Sequence, residues 1–333
     1  MVLDPEPCFA SLESTWEGCD EASFFETRGH ALGTECRMLF SAPSRAAADR
    51  FRREISAWLE AFEGRYSRFI ETSIISQLNA AAGCHAVDVD DELASIFKLC
   101  DWFHWSSRGL FDPTMLPLMR LWDSHTETPS IPPADAVEAA RQLVDWKSVT
   151  REGNRAFLPH KGMAVDIGGI GKEYAVDRVI GLMQDAGIQN AMVDFGHDVR
   201  VLGGPPEGGG WRVGLEDPQD PGRCWSGAAV SAMAVATSGN YARGFNWQGK
   251  RYGHLLDPRS GYPVDNGCLA VSVVAPTCTE AGILATAAFV LGANGFVEFL
   301  GANHQAEGCM VTTKGTLRTP GFVRYELASA TTG

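Results

Sequence analysis

His254 and Asp257 sit three residues apart in GHLLDPRSG. An imidazole can take or give a proton near neutral pH, and an Asp-Pro turn fixes the backbone that follows it. A buried histidine with a purely structural role accounts for the same pattern. A second candidate is GMAVDIGGIGKEYAVD, residues 162–177, where an apolar run from Met163 to Ile167 enters a Gly-Gly-Ile-Gly turn. Lys172 then opens a helical pattern with Tyr174, Ala175, Val179, Ile180 and Leu182 on its apolar side. A strand, a glycine turn and a helix N-terminus expose backbone N–H groups that suit a phosphate, with Lys172 as counter-charge. The spacing is neither G-x-G-x-x-G nor a P-loop ending in G-K-[ST]. A tight turn followed by a solvated lysine fits the stretch equally well. Asp166, Asp194, Asp198 and Asp257 each follow or interrupt apolar strand residues. Carboxylates at strand ends suit Mg²⁺ where phosphates supply the remaining oxygens. There is no G-x-S-x-G and no H-E-x-x-H.

These residues need elements to hold them. From Ser44 to about Gly64, Ala46, Ala47, Phe51, Ile55, Trp58, Leu59 and Phe62 recur at three and four, which predicts a helix stopped by Gly64. A second helix is predicted from Asp90 to about Ser107. Between them Ser73, Ser76 and Asn79 recur at three, along one edge of a short helix. His30 to Phe40 reads as an opening strand, with Gly33-Thr34 as a ligand-side turn. Asn190 to Val201 reads as a strand pair broken at Phe195-Gly196-His197-Asp198. Ala228 to Thr237 is small and apolar and meets Ser238-Gly239-Asn240, where a ligand or a backbone can approach closely. Cys268 to Val274 predicts a strand and Thr277 to Leu291 an apolar helix. The last strands are expected around Gly308 to Thr313 and Phe322 to Glu326. Long helices mixed with hairpin-like strands imply an α+β fold rather than βαβ repetition.

The 333 residues are 45% hydrophobic and 21% charged, as in soluble globular enzymes. A net charge of -13 argues against a broad nucleic-acid-binding face but leaves room for an anionic small ligand held by local donors. Nine irregularly spaced cysteines without C-x-x-C fit the reduced thiols of a cytoplasm. Residues 1–27 read as a flexible acidic leader without the basic and apolar regions of a signal peptide. No window reaches the roughly 18 apolar residues of a membrane span. A cytoplasmic location is expected; a misassigned start could have hidden an export signal and a periplasmic form.

Taken together, these stretches resemble the ApbE-like family, the FAD:protein FMN transferases. The resemblance covers about residues 33 to 327. It rests on Gly33-Thr34, ETSIISQLN (71–79), GLFDPTMLPLMRLW (109–122), VDIGGIGKEYAVD (165–177) and WRVGLEDP (211–218). AVATSGNY (234–241), HLLDPRSGYPV (254–264) and ILATAAFVLG (283–292) complete it in order. It implies one domain over 28–333, with a T-fold-like core, a smaller α/β subdomain and a ligand cleft between them. It implies that FAD is cleaved at its pyrophosphate with Mg²⁺. The FMN half would pass to a Thr or Ser of an acceptor flavoprotein or flavinylated redox subunit, releasing AMP. Residue by residue, it implies that Lys172, Gly169, Thr237, Ser238, Gly239, His254 and Asp257 line the FAD site. His254 would orient a phosphate or help proton transfer, and Asp166 would deprotonate the target hydroxyl. Thr286 and the backbone carbonyl of Gly171 are the implied Mg²⁺ ligands.

Three positions depart from the family pattern. Where the family carries Asp-x-x-x-Thr at the start of the late helix, this chain has Gly282 ahead of Thr286. Glu280 lies about 200° around the helix from that position, so it reaches the same metal only if the first turn is not helical. The usual Gly-Gly-Asp is Gly196-His197-Asp198, and the usual Lys-Gly is Lys172-Glu173, which places a carboxylate near the phosphates.

Overall fold

The computed structural model describes residues 13–16, 23–122, 130–241, 243–303 and 305–327. Strand β1 (Glu13–Trp16) pairs with β2 (Ser23–Ala31), which turns into β3 (Thr34–Ala42). Helix α1 (Arg45–Tyr66) starts at Ser44, whose hydroxyl accepts from the Ala47 N–H. A lobe follows, made of α2 (Ile74–Ala80), β4 (Val87–Asp88), α3 (Asp91–Ser106), α4 (Leu116–Leu121), α5 (Ala134–Arg141), β5 (Thr150–Glu152) and β6 (Arg155–Phe157). The chain returns through α6 (Gly168–Asp185), β7 (Ala191–Phe195), β8 (Asp198–Leu202), the hairpin β9 (Trp211–Glu216) and β10 (Cys224–Val230), and β11 (Ala234–Gly239). A second hairpin, β12 (Gly244–Trp247) and β13 (Lys250–Gly253), precedes β14 (Cys268–Ala275). Helices α7 (Cys278–Leu291) and α8 (Phe296–Gly301) then lead into β15 (Glu307–Thr312) and β16 (Gly315–Arg318).

The main sheet is antiparallel throughout, in the order β1-β2-β3-β7-β8-β11-β14-β15-β16. Alternation along each strand gives it two apolar faces. One packs under α1, α6, α7 and α8, through Phe40, Ile55, Leu59, Val176, Ile180, Met183, Phe289 and Phe296. The other carries β9–β10, through Phe24, Val199, Trp211, Val230, Val235 and Val274. Helix α7 lies at the centre and is apolar on every side, so it has to be surrounded. Each Leu, Val or Phe it buries stabilises by about 1.5–3 kcal/mol relative to exposure. The lobe has its own core around Phe62, Tyr66, Leu93, Phe97 and Trp146, and it shares α1 and α6 with the sheet core. Among the described residues no single helix is long and apolar enough to cross a membrane.

Four expectations change. The stretch read as a leader is in part structural: β1 and β2 reach into it, and Phe24 and Phe25 are buried on opposite faces of the sheet. The opening strand is a hairpin whose turn is Leu32-Gly33, both at positive φ (54° and 71°), the twist a two-residue hairpin turn requires. Helix α1 runs through Gly64, because buried Tyr66 anchors the last turn by donating to Asp90 at 2.7 Å. Phe322 to Arg324 form a single 3₁₀ turn, and the closing strand is Gly315–Arg318.

Candidate active site

The run from Met163 to Ile167 joins no strand. Its buried backbone groups find partners in a side chain instead. Asn79 accepts from the Val165 N–H at 2.7 Å and donates to the Val165 carbonyl at 2.9 Å, while the Asp166 N–H donates to the Pro113 carbonyl at 2.9 Å. The edge of α2 noted in the sequence is thus a clamp on the entry to α6. Gly168 is already helical, so the Gly-Gly-Ile-Gly segment is the first turn of α6 rather than a loop before it. Gly169 is exposed there. Asp166 accepts from the Gly168 N–H at 2.9 Å and pairs with Arg68 at 3.1 Å. The carboxylate expected to act as base therefore has both oxygens engaged at the positive end of a helix. The Gly171 carbonyl lies inside α6, where helical geometry directs it to residue 175 and away from a cation.

One turn into α6, Lys172 forms an ion pair with Asp198 at the start of β8, and its Nζ is 3.4 Å from Glu173 Oε1. All three are largely buried; Glu173 is 8% and Asp198 6% exposed. Asp198 is also near the Thr237 N–H, at 3.4 Å. On α7, the Thr286 hydroxyl shares a 2.8 Å hydrogen bond with the Ser238 hydroxyl. These side chains converge from α6, α7, β8 and β11 at one end of the sheet. Thr237 does not join them. Strand alternation turns it to the opposite face, where its hydroxyl bonds Ser272 at 2.8 Å.

Gly239 serves a different neighbour from the one expected. A β-carbon there would stand 2.6 Å from the Tyr241 ring, and that ring folds back so that its hydroxyl can donate to Glu216 at 2.6 Å. That bond, then the Gly222 N–H and, last, the nearby His197, hold the Glu216 carboxyl below its usual range against the opposing effect of burial. His197 itself is exposed, at φ +69°, on the tip of the β7–β8 turn, and its N–H donates to Asp194 at 2.9 Å. Its neighbour Gly196 leaves no room for a side chain against Thr34, which seats the early Gly33-Thr34 turn on this one.

His254 follows β13 and is tied to the end of β11 through Asn240, which accepts from the Leu255 N–H at 3.4 Å. Its side chain is exposed at the surface, yet protein atoms are packed around the ring. That desolvation, followed by repulsion from Arg243 and Arg251, lowers its pKa to about 4, against a backbone hydrogen bond to Arg243 that favours protonation. At pH 7 it is a neutral imidazole. Asp257 is committed to its own loop: it accepts from the Arg259 N–H at 2.9 Å and pairs with the Arg259 guanidinium at 2.7 Å.

Two surface depressions of about 500 Å³ and 510 Å³ lie beside α3, and neither is lined by any of these residues. The polar cluster marks the site.

A family model described as "ApbE family" matches residues 32–310. The chain belongs to the ApbE family. A FAD:protein FMN transferase of Treponema pallidum is 32% identical over 278 residues, covering 78% of this chain and 77% of the relative. The solved ApbE protein of Thermotoga maritima superposes with a TM-score of 0.83 at 30% identity, covering 92% of this chain and 100% of that one. The flavin transferase ApbE of Vibrio cholerae gives 0.82 at 26% identity, covering 91% and 99%. The expected α+β architecture is therefore that of ApbE flavin transferases.

Within that ApbE fold, the structure brings together Lys172, Ser238 and Thr286 with Asp198, one of the strand-end carboxylates, and Glu173, the carboxylate gained beside Lys172. It leaves Thr237 on the far face and commits Asp166 and Asp257 to local partners. Among the described residues no three His, Cys, Asp or Glu side chains converge as a metal-binding group. A Mg²⁺ fits here only in the way it commonly does, with one carboxylate and a hydroxyl from the protein and the rest from phosphate and water. The buried Glu173 Oε2, which has no hydrogen-bond partner, is the protein oxygen available to it. The sequence set the Glu173 carboxylate near the phosphates but gave it no role as a ligand. The signal was the coincidence of a carboxylate gained after Lys172 with one lost at 282.

Proposed function

We propose that this chain is a FAD:protein FMN transferase. FAD is the substrate, and the FMN moiety passes to a Thr or Ser hydroxyl of an acceptor protein. The acceptor oxygen bonds to the FMN phosphorus, the P–O bond to AMP breaks, and the hydroxyl proton leaves to a base. The observation carrying this reading is the buried cluster of Lys172, Glu173 and Asp198 beside the Ser238–Thr286 hydroxyl pair, in a chain of this family.

Lys172 is placed to offset the negative charge that grows on the diphosphate oxygens, and its partial burial strengthens that attraction. The exposed Gly169 N–H in the first turn of α6 is offered to the same anion, its neighbours at 168, 170 and 171 being engaged within the chain. Ser238 and Thr286 orient one another, so either hydroxyl can donate toward phosphate while accepting from the other. Neutral His254 can hydrogen-bond a phosphate or the incoming hydroxyl without adding charge. Asp166 is kept as the candidate base, with Arg68 and the Gly168 N–H fixing its orientation. Mg²⁺, held through Glu173 and Thr286, would supply charge neutralisation at the diphosphate when bound. A cytoplasmic location belongs to the same reading, and cell fractionation tests it.

The test is an intact-mass measurement on purified protein with FAD, Mg²⁺ and a carrier bearing a flavin-acceptor threonine. A carrier mass gain equal to FMN less water, with stoichiometric AMP, is the expected result. A carrier that stays unmodified while FAD saturates the protein would overturn transfer and leave flavin binding.

A further inference from the structure

Glu173 stands in the space that a side chain at position 282 would fill. A β-carbon built on Gly282 would lie 2.6 Å from Glu173 Cγ, 3.1 Å from Oε1 and 3.2 Å from Cδ. Glu173 is buried, 8% exposed, yet its Oε2 has no hydrogen-bond partner. The cation beside it, Lys172, lies 3.4 Å from Oε1 but is shared with Asp198, so one lysine faces two buried carboxylates. A buried carboxylate oxygen without a partner is costly, so the persistence of a bare Oε2 calls for one. Gly282 and Thr286 are four apart in α7 and share a helix face, which sets Glu173 one turn from the Thr286 hydroxyl.

We infer that Glu173, reaching from α6 over the bare backbone of Gly282, is the carboxylate ligand of the site's divalent cation, alongside Thr286. The glycine at 282 and the glutamate at 173 are then one exchange: the carboxylate has moved from α7 to α6 while its position in space is kept. Glu280, an acid in the first turn of α7, does not substitute. Its carboxylate accepts from the Thr277 hydroxyl at 3.0 Å, and its N–H donates back to that hydroxyl at 3.2 Å, closing the N-terminus of α7. An all-oxygen pair of carboxylate and hydroxyl selects Mg²⁺ or Mn²⁺ over softer metals.

This inference rests on the transferase reading for its choice of a cation at a diphosphate, and its test is independent of turnover. Mn²⁺ binding is measured by electron paramagnetic resonance of the free ion, with and without saturating FAD. The proteins are the wild type, Glu173→Gln and the exchange variant Glu173→Gly/Gly282→Asp. Glu173→Gln keeps the volume, and circular dichroism checks its fold. The wild type should bind one equivalent, and Glu173→Gln should bind at least about tenfold more weakly, since even outer-sphere losses cost 10–100-fold. The exchange variant should recover most of the affinity, because it restores a carboxylate in the same space and removes the clash.

Unchanged Mn²⁺ affinity in folded Glu173→Gln overturns the inference, as does a wild type that binds no Mn²⁺. If the wild type flavinylates the carrier while Glu173→Gln binds Mn²⁺ normally, the ligand assignment fails and the transferase reading stands. If Mn²⁺ binds through Glu173 but no flavin is transferred, the assignment stands and that reading fails.

Discussion

The His254 loop and the α6–α7 contact both set cations and carboxylates beside glycines, yet their charges are in different states. In the loop, Asp257 takes hydrogen bonds from the Arg259 backbone and side chain, and the Gly261 N–H closes the turn on the Asp257 carbonyl at 2.7 Å. The charges there are matched within a few residues and face water. At the helix contact, one lysine is shared between two buried carboxylates that come from different elements, and one oxygen is left unmatched. A loop can satisfy its own charges locally. Packed helices hold theirs in fixed positions, and what remains unmatched is available to a ligand.

Removing the shared cation should produce the largest effect. Lys172→Ala leaves Asp198 and Glu173 buried without their counter-charge. A loss of about 3 kcal/mol in a urea melt is expected, near the low end for breaking a buried pair. FAD affinity, read by fluorescence quenching, should fall with it. Unchanged stability would mean that this region is as locally satisfied as the loop, and the contrast would fail. Adding FAD should recover part of the melting temperature of the wild type but little of the variant's.

The second effect tests the support beneath the site. Asn79→Ala strips both partners from the Val165 N–H and carbonyl, and Val165 is fully buried. Two unsatisfied backbone groups predict a loss of about 2 kcal/mol. Because the clamp fixes the entry to α6, flavin binding should weaken more than global stability explains. An equal effect on both would reduce Asn79 to a fold residue.

What could be read from the sequence divides along the same line. The helices were legible because their apolar periodicity is local, and the turn at Gly196-His197 because its residue types permit positive φ. Lys172, Ser238 and Thr286 were found through motifs. The status of the run from 163 to 167 was not legible: its composition is that of a strand, but its hydrogen bonds come from Asn79, 86 residues away in sequence. Thr237 and Ser238 looked like one unit, and only the register of β11 shows that they face opposite sides. Glu173 and Gly282 are separated in sequence, so their shared volume appears only once α6 packs on α7.

A smaller effect should appear as a pH dependence at the loop. The folded-state pKa of His254 is about 4, below its ordinary value of 6.5. Between those values the unfolded chain binds a proton that the folded chain does not. Stability from this group is therefore full above about pH 6.5 and is lost as pH falls toward 4. His254→Gln, which never titrates, should lose less melting temperature between pH 7 and pH 5 than the wild type. An identical acid response would place the ring in water, and the loop would then have no desolvated group at all.

The smallest effect should come from Asp257→Asn. Asparagine keeps an oxygen for the Arg259 N–H, so the turn survives, and only the pair with an exposed guanidinium is weakened. Exposed pairs contribute about 0–1 kcal/mol, so a change of at most about 0.5 kcal/mol is expected, fading further in high salt. FAD affinity should stay within about twofold of the wild type, equivalent to 0.4 kcal/mol. A loss of tenfold or more, without a matching loss of stability, would show that Asp257 leaves Arg259 to meet the ligand. The loop would then hold its charges in reserve as the helix contact does, and the difference between the two regions would describe only the ligand-free chain.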